Sequence, residues 1–194
     1  MSGIEDKVLL AAIEEGGRHM PPTFSTIRIA EKCKVSEFLI YDHFKNKANL
    51  LQAAHIFLLD KLAEEAEAAS KKDSDFESFF SDLVSYELAH PAWNGYFLNY
   101  GLCYPQGEIL SESQKASEAF YDNHKGVLLP RYCPLEEPII DRLRFRFFFR
   151  EVYAFSQLLI TQQIDDTPEV RAKEAQLLFT GLSRNKNLRK KPTK

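Results

Sequence analysis

Residues 25–51, STIRIAEKCKVSEFLIYDHFKNKANLL, constrain the fold of this chain more than any other segment. Their apolar positions recur every three to four residues, which is the period of an amphipathic helix. Ser25 and Ser36 stand just before two such runs, where a serine hydroxyl can accept a hydrogen bond from a free amide of the first helical turn. The segment therefore predicts two short helices joined by a tight turn and followed at once by a third, the arrangement of a candidate helix-turn-helix.

The same periodicity extends over the rest of the chain. A first helix is predicted over residues 4–16, with Gly16 and Gly17 expected to end it. Further helices are predicted from Leu50 to about residue 70 and over 76–89, 92–103, 108–129, 138–163 and 167–182. No alternating strand pattern competes with them. The predicted fold class is all-α, with an N-terminal three-helix helix-turn-helix head over residues 1–55, a larger helical body over 56–182 and a basic tail over 183–194.

Composition argues against several classes of protein. No stretch approaches the roughly 18 consecutive apolar residues of a membrane span, so an intracellular location without a membrane partner is expected. Cys33, Cys103 and Cys133 are an odd number without metal-ligand spacing, which favours reduced thiols over disulfides or zinc. The histidines are scattered, and no Ser or Cys stands in a recognisable nucleophile setting. We therefore expect neither an enzyme nor a bound metal or cofactor.

The formal net charge of −3 conceals an uneven distribution. The tail contains six basic residues and no acidic one, and it is predicted to be disordered when free. Residues 1–55 contain seven basic and seven acidic residues, whereas a nucleic-acid binder usually gathers basic residues on one face. Either the tail supplies the positive charge that the head lacks, or it is a solubilising extension.

A longer pattern runs through the head. It consists of Ile29-Ala30, Val35-Ser36, Tyr41, His43-Phe44, Lys47 and Leu50-Leu51. In this spacing the head resembles the DNA-binding domain of the TetR family of bacterial transcriptional regulators. The resemblance covers residues 4–55. It implies a cytoplasmic, homodimeric repressor that binds an operator in double-stranded DNA and is released by a small-molecule effector.

Ten head residues are the candidate DNA contacts. The two serine caps offer hydroxyls and free amides to phosphate, Tyr41 and His43 can hydrogen-bond phosphate oxygens, and two lysines add charge. The remaining four lie on the predicted recognition helix. The full set is Ser25, Ser36, Glu37, Phe38, Leu39, Tyr41, Asp42, His43, Lys45 and Lys47. For the serines and Tyr41, the alternative is a structural role as caps and packing.

The recognition helix departs from the family pattern, which usually has Lys or Arg, a small residue and then Thr or Ser. Here Glu37, Phe38 and Leu39 fill those positions, and Asp42 follows Tyr41. Three interpretations stay open. The carboxylate of Glu37 can accept from a cytosine amino group while the apolar pair touches thymine methyls, or Phe38 packs against helix one. Alternatively, the exposed apolar pair binds a protein, which would make the chain a TetR-fold adaptor or coactivator.

Residues 142–160 are apolar around much of the helix circumference, so this helix must be covered on more than one side. In the resembling family the last two long helices form a four-helix bundle with a second subunit. The resemblance therefore implies that 138–163 and 167–182 are the dimer elements. Phe149 is expected to point outward into that interface.

Aromatic residues with polar tips crowd the middle of the chain. By family analogy they suggest an effector cavity, because aromatic walls with a few hydroxyls suit a flat or amphipathic ligand. The candidates are Trp93, Phe97, Tyr100, Phe120, Tyr121 and Phe148. The alternative is that they are ordinary core residues.

Overall fold

The structure is a computed structural model, and it describes residues 2–18, 24–72, 75–103, 115, 118–120, 122–123, 132 and 138–183. In these ranges the chain forms helices joined by turns, without a strand, so the all-α prediction is confirmed. The eight helices with defined bounds in this part of the chain are α1 (Ser2–Arg18), α2 (Thr26–Cys33), α3 (Glu37–Phe44), α4 (Lys47–Lys72), α5 (Phe76–Ala89), α6 (Pro91–Cys103), α7 (Pro138–Ile160) and α8 (Pro168–Ser183). None of the described helices is long and apolar enough to cross a membrane.

The predicted caps are confirmed. Ser25 Oγ accepts from the Arg28 amide at 3.3 Å, and Ser36 Oγ accepts from the Leu39 amide at 3.2 Å. These contacts satisfy amides that have no partner inside a helix. The starts of α2 and α3 are therefore fixed by local sequence.

The turn between α2 and α3 is closed by the backbone. Lys34 adopts the left-handed conformation, with φ 57° and ψ 43°. Its amide donates to Glu31 O at 3.1 Å, and the next amide, that of Val35, donates to Ala30 O at 3.0 Å. This pair of bonds caps the last carbonyls of α2, as in a Schellman motif. It lets α3 begin at Glu37, three residues after Lys34, in a new direction.

Gly16 and Gly17 do not end the first helix, and that prediction is wrong. α1 continues through both to Arg18. A Cβ on Gly17 would lie 1.9 Å from Ala92 O, and one on Gly95 would lie 2.6 Å from Gly17 O. The glycines are needed because the backbones of α1 and α6 approach so closely that a side chain does not fit.

The described residues divide into two compact units, each with its own core. The first comprises Met1–Ala63 with Ala89–Phe120, and the second comprises Glu64–Leu88 with Tyr121–Lys194. The predicted boundary at residue 55 stays a prediction.

The first unit has a core formed by side chains from five helices. They are Val8, Leu9, Ala12 and Ile13 of α1, Ile29, Ala30 and Cys33 of α2, Ile40 and Phe44 of α3, Leu50, Leu51, Ala54 and Leu58 of α4, and Tyr96 and Tyr100 of α6. Tyr96 donates from its hydroxyl to Leu51 O at 2.5 Å, and Asn99 Nδ2 donates to Gly16 O at 3.0 Å. Burial raises the pKa of the Cys33 thiol, which agrees with the predicted reduced cysteine.

The second unit is built on aromatic packing. Phe79 of α5 stacks on Phe148 of α7 with ring centroids 5.5 Å apart. Arg171 of α8 holds Asp166 through two hydrogen bonds of 2.6 and 2.7 Å, and this contact lowers the pKa of the Asp166 carboxyl. Arg171 also donates to Ser85 Oγ of α5 at 2.7 Å. Thr167 caps α8 by accepting from the Val170 amide at 3.2 Å.

Some predicted features lie outside the described residues. These are Tyr121, Cys133, most of the predicted helix over 108–129 and all of the basic tail after residue 183.

Candidate nucleic-acid interface

The face of α3 that points away from the core carries the candidate recognition residues. Ile40 and Phe44 point inward and are buried, and this fixes the rotation of the helix. Phe38 and Tyr41 consequently point outward and are exposed, and Leu39 is exposed at the edge of this face. Phe38 is 78% exposed, the largest value among the large apolar side chains of the described residues.

The interpretation that Phe38 packs against the first helix is wrong. Leu39, rather than its neighbour, faces that helix. It lines a groove of about 270 Å³ together with Ile4 and Val8 of α1. Because Phe38 is one residue earlier on a helix, it projects about 100° away from that groove.

A polar contact joins α2 to α3 at the start of the recognition helix. The Thr26 hydroxyl donates to the Glu37 carboxylate, and it lies 3.2 Å from the Tyr41 hydroxyl. Glu37 is therefore held by the helix beside it and is only partly exposed. Thr26 could not be recognised from the sequence, because its two partners lie 11 and 15 residues away.

The basic side chains predicted to contact phosphate make contacts within the head. Lys45 Nζ donates to the backbone carbonyl of Asp42. Lys47 Nζ donates to Phe24 O at 3.0 Å and lies 5.1 Å from the centre of the Phe24 ring. His43 Nε2 lies 3.3 Å from Glu5 Oε1. A DNA phosphate can bind Lys45, Lys47 or His43 only if it replaces these partners or shares the side chain with them.

Two further cations are paired across α1 and α2. Arg28 Nε donates to Glu15 Oε1 at 2.8 Å, and this hydrogen bond raises the pKa of the guanidinium. Lys32 forms an ion pair with Glu14. Two of the seven basic side chains of the head are thus neutralised by carboxylates of α1.

Lys34 is a candidate that sequence reasoning missed. It is exposed in the turn directly before α3 and has the left-handed backbone conformation that glycine or asparagine usually takes. The signal available in the sequence was a lysine at the turn position, where the Schellman cap needs a positive φ and glycine or asparagine is usual. From that turn its ammonium group can reach a phosphate next to the groove that α3 would enter.

The predicted effector residues do not all lie in one unit. Trp93 and Phe97 pack against the core of the first unit, where Tyr100 is buried. Phe120 is buried as well. Phe148 lies in the second unit, where it contacts Phe79. Their role as an effector site stays a prediction.

His55 is a buried neighbour of these aromatics that the sequence did not single out. Its ring stacks on Tyr100 with centroids 4.4 Å apart and meets Phe97 edge-on at 5.5 Å. Burial lowers the pKa of His55 to about 4. In the described part of the chain, no group of three or more His, Cys, Asp or Glu side chains is arranged to hold a metal ion.

The last two helices present apolar side chains to the outside of the second unit. The exposed ones are Leu143, Phe147 and Leu158 of α7 and Leu177 and Phe179 of α8. Phe149 is not among them: it is buried with 2% of its surface exposed, so the expectation that it points outward is wrong. The outward position is two residues earlier, because Phe148 and Phe149 are needed in the core.

The comparisons with known proteins agree with this geometry. Residues 9–54 match the family model described as bacterial regulatory proteins, tetR family. The head belongs to the TetR family. The match spans most of α1, the helix-turn-helix and the start of α4, which are the elements that position α3.

Solved structures of transcriptional regulators share the fold beyond this head. A TetR family transcription regulator from Marinobacter aquaeolei VT8 is 19% identical, with a TM-score of 0.66 over 92% of this chain and 94% of the other. FadR from Bacillus subtilis, solved with stearoyl-CoA, is 17% identical, with a TM-score of 0.69 over 91% and 98%. NalD from Pseudomonas aeruginosa is 21% identical, with a TM-score of 0.58 over 95% and 98%. The comparison with curated protein sequences gives no match.

Proposed function

We propose that this chain is a homodimeric, sequence-specific DNA-binding transcriptional regulator of the bacterial cytoplasm. The observation that carries the proposal is α3, a capped short helix held across α2 with its outer face exposed, inside a TetR-family head. Such a helix is the element that enters a major groove in helix-turn-helix proteins. The candidate contacts remain the ten residues from Ser25 to Lys47, with Lys34 added.

Dimer formation is supported by the exposed apolar side chains on α7 and α8. Leu143, Phe147 and Leu158 recur at helical spacing on one face of α7 and form an apolar patch of the kind that marks an interaction surface. A two-fold dimer places two recognition helices on two half-sites, one helical turn of DNA or a multiple of it apart. The apolar patch thus agrees with the dimer that an operator of two half-sites requires.

We further propose repression that a small-molecule effector relieves. The support is by likeness in fold: FadR was solved with stearoyl-CoA, and NalD is named as the secondary repressor of a multidrug efflux pump. The effector would favour a conformation in which the two heads no longer fit successive major grooves.

Selection from a pool of random-sequence duplexes tests DNA binding directly. The purified protein is expected to enrich an inverted repeat, because a two-fold dimer reads the same half-site twice. A pool that shows no common sequence after several rounds would contradict sequence-specific binding. A single unrepeated half-site would contradict only the dimer.

A second candidate function is an adaptor whose head binds a protein. The specific observation is that Phe38 and Leu39 are 78% and 44% exposed while the carboxylates of Glu37 and Asp42 lie close by in sequence. An exposed apolar pair with acidic neighbours suits a basic amphipathic partner. Failure of the duplex selection would favour this function over the first.

A further inference from the structure

We propose that Phe38 determines operator specificity by contacting the 5-methyl group of a thymine in each half-site. The inference rests on the proposed DNA-binding function and specifies how α3 reads its sequence. It starts from the outer face of α3, where residues three and four positions apart lie side by side. Phe38, Tyr41 and Asp42 share that face.

The polar groups near Phe38 either have partners within the head or can only accept hydrogen bonds, which does not suit most base edges. The carboxylate of Glu37 accepts from Thr26, and the Tyr41 hydroxyl lies 3.2 Å from the same Thr26 oxygen. Asp42 is exposed, but a carboxylate only accepts hydrogen bonds. Arginine and lysine, which usually read guanine, are absent from Glu37 to Phe44. The farthest-exposed group on the face is therefore a phenyl ring.

The major groove contains one apolar substituent that such a ring can match. Thymine carries a 5-methyl group, whereas adenine, guanine and cytosine present hydrogen-bonding edges. An aromatic ring over this methyl removes apolar surface of both partners from water. Reading by contact with a methyl also needs no cation, which agrees with a recognition helix that carries neither lysine nor arginine.

Thymine-to-uracil replacement tests the contact, because uracil pairs as thymine does and lacks only the methyl. Each thymine of the selected operator is replaced singly, and equilibrium binding is measured with wild type, Phe38→Ala and the control Ile27→Ala, which truncates an exposed apolar side chain of α2. At one thymine per half-site, uracil should weaken wild-type binding roughly fourfold, the equivalent of one buried methylene. Ile27→Ala should keep that sensitivity.

Phe38→Ala should bind the operator more weakly and be insensitive to uracil at that position. Its helicity and unfolding midpoint should equal those of wild type, because the side chain is exposed. The inference is overturned if every uracil is neutral for wild type, or if Phe38→Ala loses as much on uracil as wild type does. If selection yields no operator at all, the proposed function is overturned together with it.

Discussion

At the scale of single residues, His55 is the clearest case of a group whose chemistry is set by burial. The ring lies between Tyr100 and Phe97, and its pKa falls to about 4 because the charged form is poorly solvated there. In the unfolded chain the pKa of histidine is about 6.5. Between those two values the unfolded state binds more protons than the folded state.

Stability should therefore fall as pH falls through this window. The free energy of unfolding is unaffected by the titration of His55 above about pH 6.5 and falls progressively down to about pH 4. The loss amounts to about 2 kcal/mol between about pH 7.5 and pH 5. Urea unfolding at fixed protein concentration measures it. His55→Gln should flatten the dependence, whereas His43→Gln, at an exposed histidine, should keep most of it. Equal slopes for wild type and His55→Gln would contradict the assignment.

At the scale of elements, the contact between α1 and α6 depends on missing side chains. Gly17 lies against the backbone of Ala92, and Gly95 lies against the backbone of Gly17. In an isolated helix alanine is more stable than glycine by about 1 kcal/mol. The glycines therefore lower the helix propensity of α1 and α6 but allow the two backbones to approach closely.

Gly17→Ala should destabilise the protein by about 1–3 kcal/mol, because the new methyl would overlap Ala92 O and force the helices apart. The matched control is Gly3→Ala in the same helix, where a Cβ meets nothing within 4 Å. That change should be neutral or slightly stabilising. Thermal unfolding followed by circular dichroism compares them, and equal midpoints for the two variants would contradict the packing role of Gly17.

The elements also show how far the sequence alone could go. The helices and the caps at Ser25, Ser36 and Thr167 were predictable, because periodicity and capping depend on neighbours within a few residues. The role of Gly17 and the contacts of Glu37 and Lys47 were not, since their partners are distant in the chain. From the sequence alone, a pair of glycines indicates a helix end. Only the structure shows that α6 lies against this pair.

At the scale of the whole molecule, the proposed dimer depends on the apolar surface of α7 and α8. Leu177→Glu and Phe147→Glu place a charge on that surface without disturbing the core, because both side chains are exposed. Each should weaken dimerisation on the order of a hundredfold, since the charge would be desolvated without a partner.

Sedimentation velocity at micromolar concentration measures the effect. The matched control is Ile27→Glu, a similar change at an exposed apolar residue of the head, and it should remain dimeric. If wild type sediments as a monomer under these conditions, or if both interface variants sediment as dimers, the assignment of this surface to the dimer interface is contradicted. Helicity of all variants should match wild type.

The most direct test of the central claim, that α3 reads DNA, is equilibrium binding of the selected operator and a scrambled duplex to wild type and Phe38→Glu. This substitution adds a carboxylate at a fully outward position and leaves the core intact. Wild type should prefer the operator by at least about a thousandfold, the lower end for specific regulators. The variant should lose at least about tenfold on the operator and far less on the scrambled duplex. Equal affinity of wild type for both duplexes, or an unchanged preference in Phe38→Glu, would contradict the account.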